Sequence, residues 1–234
     1  MKKKPDAGAR PAGPDEWHKC LGWAYGLVAS DPAARAAALS HLAEAQRNTQ
    51  TAIDLLNESW QRMWPSRAWT KAAWKYCVVR QHSLPDALWD RPTDADITKW
   101  PGLPFALLFL EWEAKCPQEW TRHAKAWGTK QSLLRDLAVD NHSEPVKAKL
   151  SELLDLVVQR PYRCKDREYV RICRVMDGND LRARLTSAAE SDNPWPQRHA
   201  GYILWLLDRP EVPNTRHVWR TWLAEHHDGD VRAR

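Results

Sequence analysis

Apolar residues recur three and four positions apart along almost the whole chain, and prolines interrupt the pattern. This spacing places apolar side chains on one face of an α-helix and polar side chains on the other. Strict alternation of apolar and polar residues, which is typical of β-strands, is nearly absent. The 234 residues are therefore predicted to form an all-α protein. A chain of this length can bury a hydrophobic core without disulfide bonds or structural metal ions.

Prolines and helix-capping residues divide this pattern into segments. The predicted helices are residues 15–29, 32–63, 66–82, 104–115, 117–139, 144–159, 166–176, 179–190, 195–207 and 214–227. The segment 32–63 is compatible with one long helix or with a hairpin. Outside these helices, Pro, Gly, Ala and charged residues predict a disordered basic tail at 1–14 and a mobile tail at 228–234. The body, 15–227, is predicted to be a single helical-repeat domain.

Two stretches near the C-terminus repeat each other. Residues 152–173 align with residues 201–222, so that Arg160-Pro161 matches Arg209-Pro210 and apolar positions match on both sides. The pattern predicts a helix, an Arg-Pro turn and a second helix, used twice. Such pairs are typical of HEAT or armadillo solenoids, and the alternative is an irregular helical bundle.

The stretch SDNPWPQRHAGYILWLL, residues 191–207, resembles the opening helix of a HEAT-like repeat, especially in the AlkD-type alkylpurine DNA glycosylases. The resemblance covers the last third of the chain at the level of motifs. It implies a basic concave groove for DNA, with a tryptophan and an aspartate one helical turn apart at the damaged nucleotide. No tryptophan of this chain is followed four residues later by an acid. The resemblance therefore implies the scaffold and assigns no catalytic residue.

Positive charge is concentrated in one segment. The chain has 35 Lys and Arg against 30 Asp and Glu, and residues 59–82 contain cations but no acid. A helix over 66–82 places Arg67, Lys71, Trp74 and Lys75 on one face. There the indole could stack on a base while the cations hold phosphate. The alternative is that Trp74 packs against a neighbouring helix under the lysine stems.

A second basic surface follows from the repeat. If the two repeats stack, arginines at equivalent positions would lie next to each other and form one basic ridge. Such a ridge is suited to bind the phosphates along a nucleic-acid backbone. These arginines are Arg167, Arg171 and Arg174 in the first copy and Arg216 and Arg220 in the second. The alternative is a solvated helix face that Asp166 and Glu168 partly neutralise.

The predicted function is nucleic-acid binding through phosphates, with DNA favoured over RNA. One alternative is a protein-interaction scaffold for an acidic partner. Another is a DNA glycosylase-like repair enzyme. Because GxxxxGK, GxSxG and HExxH are absent, no reaction is indicated, and no cofactor, metal or catalytic residue is assigned.

Compartment and membrane association follow from the cysteines and the apolar runs. The five cysteines are scattered and odd in number, which is typical of reduced thiols. No apolar run is long enough to span a membrane. These features predict a cytoplasmic protein without a membrane partner.

Overall fold

The computed structural model of the protein describes residues 13–62, 66–92 and 96–226. All regular elements within these ranges are helical and none is a strand, which confirms the all-α prediction. The predicted tails lie outside the described residues except for Gly13 and Pro14, and Pro14 begins the first helix. None of the described helices has the length and apolarity needed to cross a membrane.

The chain divides into two compact units, unit 1 (Met1–Thr129) and unit 2 (Lys130–Arg234). The prediction of a single domain over residues 15–227 stays a prediction, and each unit is described by itself. The α-helices that begin in unit 1 are α1 (Pro14–Leu21), α2 (Pro32–Arg62), α3 (Arg67–Arg80), α4 (Leu103–Lys115), α5 (Pro117–His123) and α6 (Trp127–Asp136). Short 3-10 helices cover Gly22–Val28, Asp86–Asp90 and Ile97–Lys99.

Helix α4 forms the centre of unit 1. Its residues are apolar around most of the circumference, and only Pro104 and Lys115 of its thirteen residues are exposed. Helices that are apolar all round occur in protein cores. Its neighbours complete an aromatic core, in which Phe109 packs on Trp120 with ring centroids 5.5 Å apart.

Unit 2 contains the two predicted helix pairs. Its elements are α7 (Glu144–Val158), a 3-10 helix (Asp166–Glu168), α8 (Tyr169–Val175), α9 (Asn179–Ala189), α10 (Pro194–Leu207) and α11 (Arg216–His226). Arg160 follows α7 by two residues, as Arg209 follows α10. Helix α10 contacts α7, α8, α9 and α11, so it is the helix around which the unit is built.

Most predicted helices are present in the described ranges, and the following regions refine or correct their boundaries. The predicted helix 15–29 is α1 followed by the 3-10 helix Gly22–Val28, and the predicted helix 166–176 is the 3-10 helix Asp166–Glu168 followed by α8. The segment 32–63 is one helix, α2, from Pro32 to Arg62. The predicted helix 117–139 is two helices, because Lys125 adopts a left-handed backbone with φ of 47° and interrupts the α-helical hydrogen bonds. Between α3 and α4, two 3-10 helices occur where no helix was predicted.

Candidate functional site

A cavity of about 430 Å³ opens among the helices of unit 2, and it is called the aromatic pocket. Its walls come from α7, α8, α10 and α11 and from the two segments that follow α7 and α10. The residues that line it are Leu154, Val157, Val158, Tyr162, Asp166, Arg167, Tyr169, Val170, His199, Tyr202, Ile203, Asn214, Thr215, Arg216, Trp219, Arg220 and Leu223. Aromatic and aliphatic side chains dominate, as is usual in small-molecule sites.

Trp219 is the central ring of the aromatic pocket. Its centroid lies 4.7 Å from that of Tyr202 in an edge-on arrangement. It lies 6.3 Å from that of Tyr162, with the two planes 22° from parallel. Tyr162 is 44% exposed and Trp219 is half-buried. Two nearly parallel rings that remain partly exposed can stack on a further planar group.

Hydrogen bonds hold these aromatic side chains in place. The Tyr202 hydroxyl donates to Oδ1 of Asn214 over 3.1 Å, and Nδ2 of Asn214 donates to the Arg167 carbonyl over 2.6 Å. The backbone amide of Arg167 donates to the Tyr162 hydroxyl over 3.2 Å. Burial raises the pKa of Tyr202 to about 12 and also raises that of Tyr162, so both phenols are neutral at physiological pH.

A buried ionic cluster lies beside the pocket. Asp166 accepts hydrogen bonds from Lys130 Nζ at 2.5 Å, from the Arg160 guanidinium at 2.8 and 3.2 Å, and from the Arg163 amide at 2.7 Å. The Lys130 side chain is completely buried. Since both oxygens of Asp166 are engaged by these groups, the carboxylate is a fixed counter-ion for the buried Lys130 and the half-buried Arg160.

Three arginines line the aromatic pocket, and they come from two separate segments of the chain. Arg167 belongs to the 3-10 helix before α8, whereas Arg216 and Arg220 are one turn apart on α11. Arg216 and Arg220 are exposed and Arg167 is half-buried. Within the described ranges, none of the three forms a salt bridge with a carboxylate. Their charge is therefore available to an anionic ligand.

A second cavity, the arginine cleft, shares Arg167 with the aromatic pocket. It is lined by Arg135, Arg167, Glu168, Val170, Arg171, Arg174, Pro213, Asn214 and Thr215. Glu168 accepts hydrogen bonds from Arg135 and Arg171, each at 3.0 Å. Burial raises the pKa of Glu168, but the hydrogen bonds from Arg135, Gln131 and Arg171 outweigh burial and lower it to about 2.

The predicted ridge therefore divides into two kinds of arginine. Arg167, Arg216 and Arg220 meet at the aromatic pocket, and none of them pairs with an acid of the described residues. Arg171 is bound to Glu168, and Arg174 donates to the Val212 carbonyl over 2.7 Å. Partial neutralisation by Glu168 thus applies to Arg171 and not to the pocket arginines.

His199 is the polar side chain of α10 in the pocket wall. It is buried, and its Nε2 has no hydrogen-bond partner within the described part of the chain. Burial lowers its pKa, whereas Asp166 and the backbone carbonyls of Val157 and Val158 oppose this shift. The imidazole is therefore neutral at physiological pH and offers one unsatisfied nitrogen.

The other predicted site residues lie on α3 in unit 1. Arg67, Lys71, Trp74 and Lys75 are all exposed, and Trp74 retains 61% of its accessible surface. A groove of about 510 Å³ between α2 and α3 is lined by Lys71 and Lys75 among others. Trp74 does not pack under lysine stems against another described helix. It is instead a surface ring beside three cations.

The sequence did not predict the aromatic pocket. Tyr169 and Trp219 lie among the matching apolar positions of the two repeats, whereas Tyr162 and His199 belong to no predicted site. One feature of the sequence pointed to the pocket: Tyr162 directly follows the Arg160-Pro161 turn and lies in the same loop as Asp166. Within the described residues, no group of three or more His, Cys, Asp or Glu side chains is suited to bind a metal ion.

Comparison with known proteins yields no match for this chain, whether with family models, curated proteins or solved structures.

Proposed function

We propose that this protein binds nucleic acid through phosphate contacts, on a short HEAT-like solenoid whose repeats are α7 with α8 and α10 with α11. The observation that carries the proposal is the meeting of Arg167, Arg216 and Arg220 at one cavity, where no carboxylate in the described part of the chain pairs with them. Guanidinium groups bind phosphate oxygens through paired, charge-assisted hydrogen bonds. Three such groups in one place favour a polyanion over a neutral ligand.

The arginine cleft extends this surface. Its Arg171 and Arg174 are each held by one protein contact, which positions them while leaving other guanidinium N–H groups for a ligand. Six arginines and two carboxylates line the two cavities together, so the surface stays positive after internal pairing. DNA remains the favoured nucleic acid over RNA.

Asp166 is the carboxylate to consider for a glycosylase-like reaction, and its contacts do not favour that role. Asp166 lines the aromatic pocket and is buried, as a catalytic acid in a groove would be. Its oxygens are already engaged by Lys130, Arg160 and the Arg163 amide. A carboxylate held in this way serves as a structural counter-ion, and no catalytic residue is assigned.

Exposed apolar groups in unit 1 favour a second candidate, a docking surface for an acidic protein. Trp60 and Trp74 are 49% and 61% exposed, and α3 carries no acid. Exposed tryptophans beside cations are typical of interface anchors. Under this candidate, charge reversal at Lys71 and Lys75 abolishes binding of a polyglutamate probe and leaves nucleic-acid affinity unchanged.

Fluorescence anisotropy with labelled duplex DNA, single-stranded DNA and RNA, over a series of salt concentrations, tests the proposed function. The variant Arg216→Glu with Arg220→Glu should bind much more weakly than the wild type. If both arginines contact phosphates, the slope of log affinity against log salt becomes shallower by about 1.4 for a single strand or about 1.8 for a duplex.

Lys147→Glu with Lys149→Glu on α7 provides the matched control, because it makes the same change in net charge outside both cavities. Its loss of affinity should be small. Equal losses in the two double variants would show that only net charge matters. Wild-type protein that binds none of the three nucleic acids at low salt would refute the proposed function.

A further inference from the structure

We propose that the aromatic pocket holds the planar ring of a single nucleotide while Arg167, Arg216 and Arg220 hold its phosphate. This inference rests on the proposed function in one respect, namely that these arginines receive phosphate. It adds that unit 2 has an aromatic-lined site for one base. A surface that binds only a nucleic-acid backbone does not need such a site.

The size and lining of the pocket indicate a small ring-containing ligand. Its volume of about 430 Å³ lies in the range of small-molecule sites, about 300–1,000 Å³. Surfaces that contact only phosphates are polar and shallow, whereas this cavity is walled by Val157, Ile203, Leu223 and four aromatic side chains. The apolar lining can exclude water from a bound ring, which strengthens stacking and hydrogen bonding within the site.

The arrangement of Tyr162 and Trp219 favours a flat ligand over an aliphatic one. The two rings are within 22° of parallel, and Tyr162 is 44% exposed on the segment that follows α7. Stacking of a nucleobase on protein aromatic rings is independent of base identity, because every base has a π-face. A ligand ring placed against these side chains covers apolar surface that otherwise faces water.

The charges around the pocket select an anion. Asp166 is already matched by Lys130 and Arg160, so it does not neutralise Arg167, Arg216 or Arg220. The three arginines therefore need an external counter-ion when their surroundings are covered by a ligand. A phosphate attached to the stacked ring supplies that charge with oxygens for several guanidinium N–H groups.

The buried imidazole of His199 favours a nucleobase over a hydrocarbon chain as the ligand of the pocket. Its Nε2 is buried in the wall of an otherwise mostly apolar pocket, and no group in the described ranges forms a hydrogen bond with it. A buried polar atom is most stable when it receives a hydrogen bond. Nucleobases carry polar groups on their edges, whereas the chain of an anionic lipid has none. Ring, phosphate and polar edge together describe a nucleotide.

One ligand chemistry is compatible with two sources, a free mononucleotide or a nucleotide within a single strand. Isothermal titration calorimetry of the full chain should therefore use AMP, adenosine, inorganic phosphate and a short single-stranded DNA in separate titrations. Laurate tests the lipid-like alternative. AMP should bind more tightly than either adenosine or phosphate, since only AMP occupies both the ring site and the arginines.

Tyr162→Ala removes one stacking ring from an exposed segment and should preserve the fold. It should weaken AMP binding by about tenfold, within the range known for loss of one aromatic–base stack. Trp219→Phe keeps an aromatic ring and should have a smaller effect. Trp89→Ala is the matched control, because Trp89 is 58% exposed and belongs to unit 1. It should leave AMP affinity unchanged.

The outcomes separate this inference from the proposed function. One outcome is that AMP binds, that Tyr162→Ala weakens AMP binding, and that no polynucleotide binds. The site would then hold a free nucleotide, so the proposed function would be wrong while this inference stands. If the DNA strand binds through the arginines but Tyr162→Ala changes neither strand nor AMP affinity, the base-site inference is wrong and phosphate binding stands. Laurate binding that Tyr162→Ala weakens, without AMP binding, would also overturn the inference.

Discussion

Two groups of aromatic side chains, one around α4 in unit 1 and one around the aromatic pocket in unit 2, have opposite surroundings. In unit 1, Trp112 and Trp120 are fully buried, and Phe109 packs on Trp120. In unit 2, Tyr162 and Trp219 remain partly exposed around a cavity bordered by arginines that pair with no acid of the described residues. One set of rings fills a core, and the other surrounds a space.

The difference originates in the helices that carry the rings. Helix α4 is apolar around most of its circumference and is almost entirely buried, so the aromatic groups against it are close-packed. Helix α11 buries only Trp222, which leaves Trp219 and its two arginines facing the pocket. The number of aromatic residues therefore does not locate a binding site. A ring belongs to the core when neighbouring elements cover its helix on all faces, and it can contact a ligand when one face of its helix stays uncovered.

The largest effect is expected for substitution of a unit 1 core ring. Trp120→Ala should lower the free energy of unfolding by about 3–5 kcal/mol, since it leaves a cavity in a packed core. Trp219→Ala should cost only about 1.5–2.5 kcal/mol, roughly half the value for a fully buried ring, because Trp219 is half-buried. Urea denaturation followed by circular dichroism measures both. Trp74→Ala is the exposed control, expected within about 0.5 kcal/mol of wild type.

The same measurements can contradict the difference between the buried rings of unit 1 and the pocket rings of unit 2. Equal losses for Trp120→Ala and Trp219→Ala would mean that Trp219 is a core residue and that the aromatic pocket closes in solution. A large loss for Trp74→Ala would place the basic face of α3 in a buried environment.

A slightly smaller effect is expected at the ionic cluster of unit 2. Asp166→Ala leaves Lys130 buried without its counter-ion and should cost about 3 kcal/mol, at the lower end for breaking a buried pair. Arg160 is 12% exposed and can turn towards water. Adding Lys130→Met should recover most of the loss, because the uncompensated charge is removed.

Urea denaturation of the single and double variants checks this prediction, with Asp155→Ala as control. Asp155 pairs with Arg184 on the surface, and such pairs contribute about 1 kcal/mol or less. A double variant as unstable as Asp166→Ala alone would indicate that Asp166 acts through its Arg163 and Arg160 contacts rather than through Lys130.

A pH dependence of stability is expected at the arginine cleft. The pKa of Glu168 is about 2 in the folded protein against 4.5 ordinarily. Its ionised form therefore adds stability that is fully present above about pH 4.5 and is lost as the pH falls towards 2. Glu168→Gln should lower stability at neutral pH and reduce the decline between pH 4.5 and 2.

Thermal unfolding over that pH range, with Glu152→Gln as control, measures the effect. Glu152 is an exposed partner of Lys149 on α7, so its substitution should leave the pH profile nearly unchanged. A Glu168→Gln profile parallel to wild type would mean that the contacts of Glu168 with Arg135 and Arg171 do not persist in solution.

Local signals in the sequence were sufficient for most helices. Ser66 accepts a hydrogen bond from the Trp69 amide at the start of α3, and prolines occupy the first turns of α5, α7 and α10. These effects act within one turn, so they are readable from neighbouring residues. Lys125 carries no such signal, since neither glycine nor asparagine marks its left-handed backbone.

By itself, the sequence determined that the chain is helical, where most helices begin and end, and that α3 presents cations on one face. Tertiary structure decided which arginines keep their charge available and that an aromatic pocket exists. The contacts responsible join residues far apart in the chain: Lys130 with Asp166 across 36 positions, and Asn214 with Arg167 across 47. Helical periodicity is a local property, whereas charge pairing and cavity formation depend on which distant side chains the fold brings together.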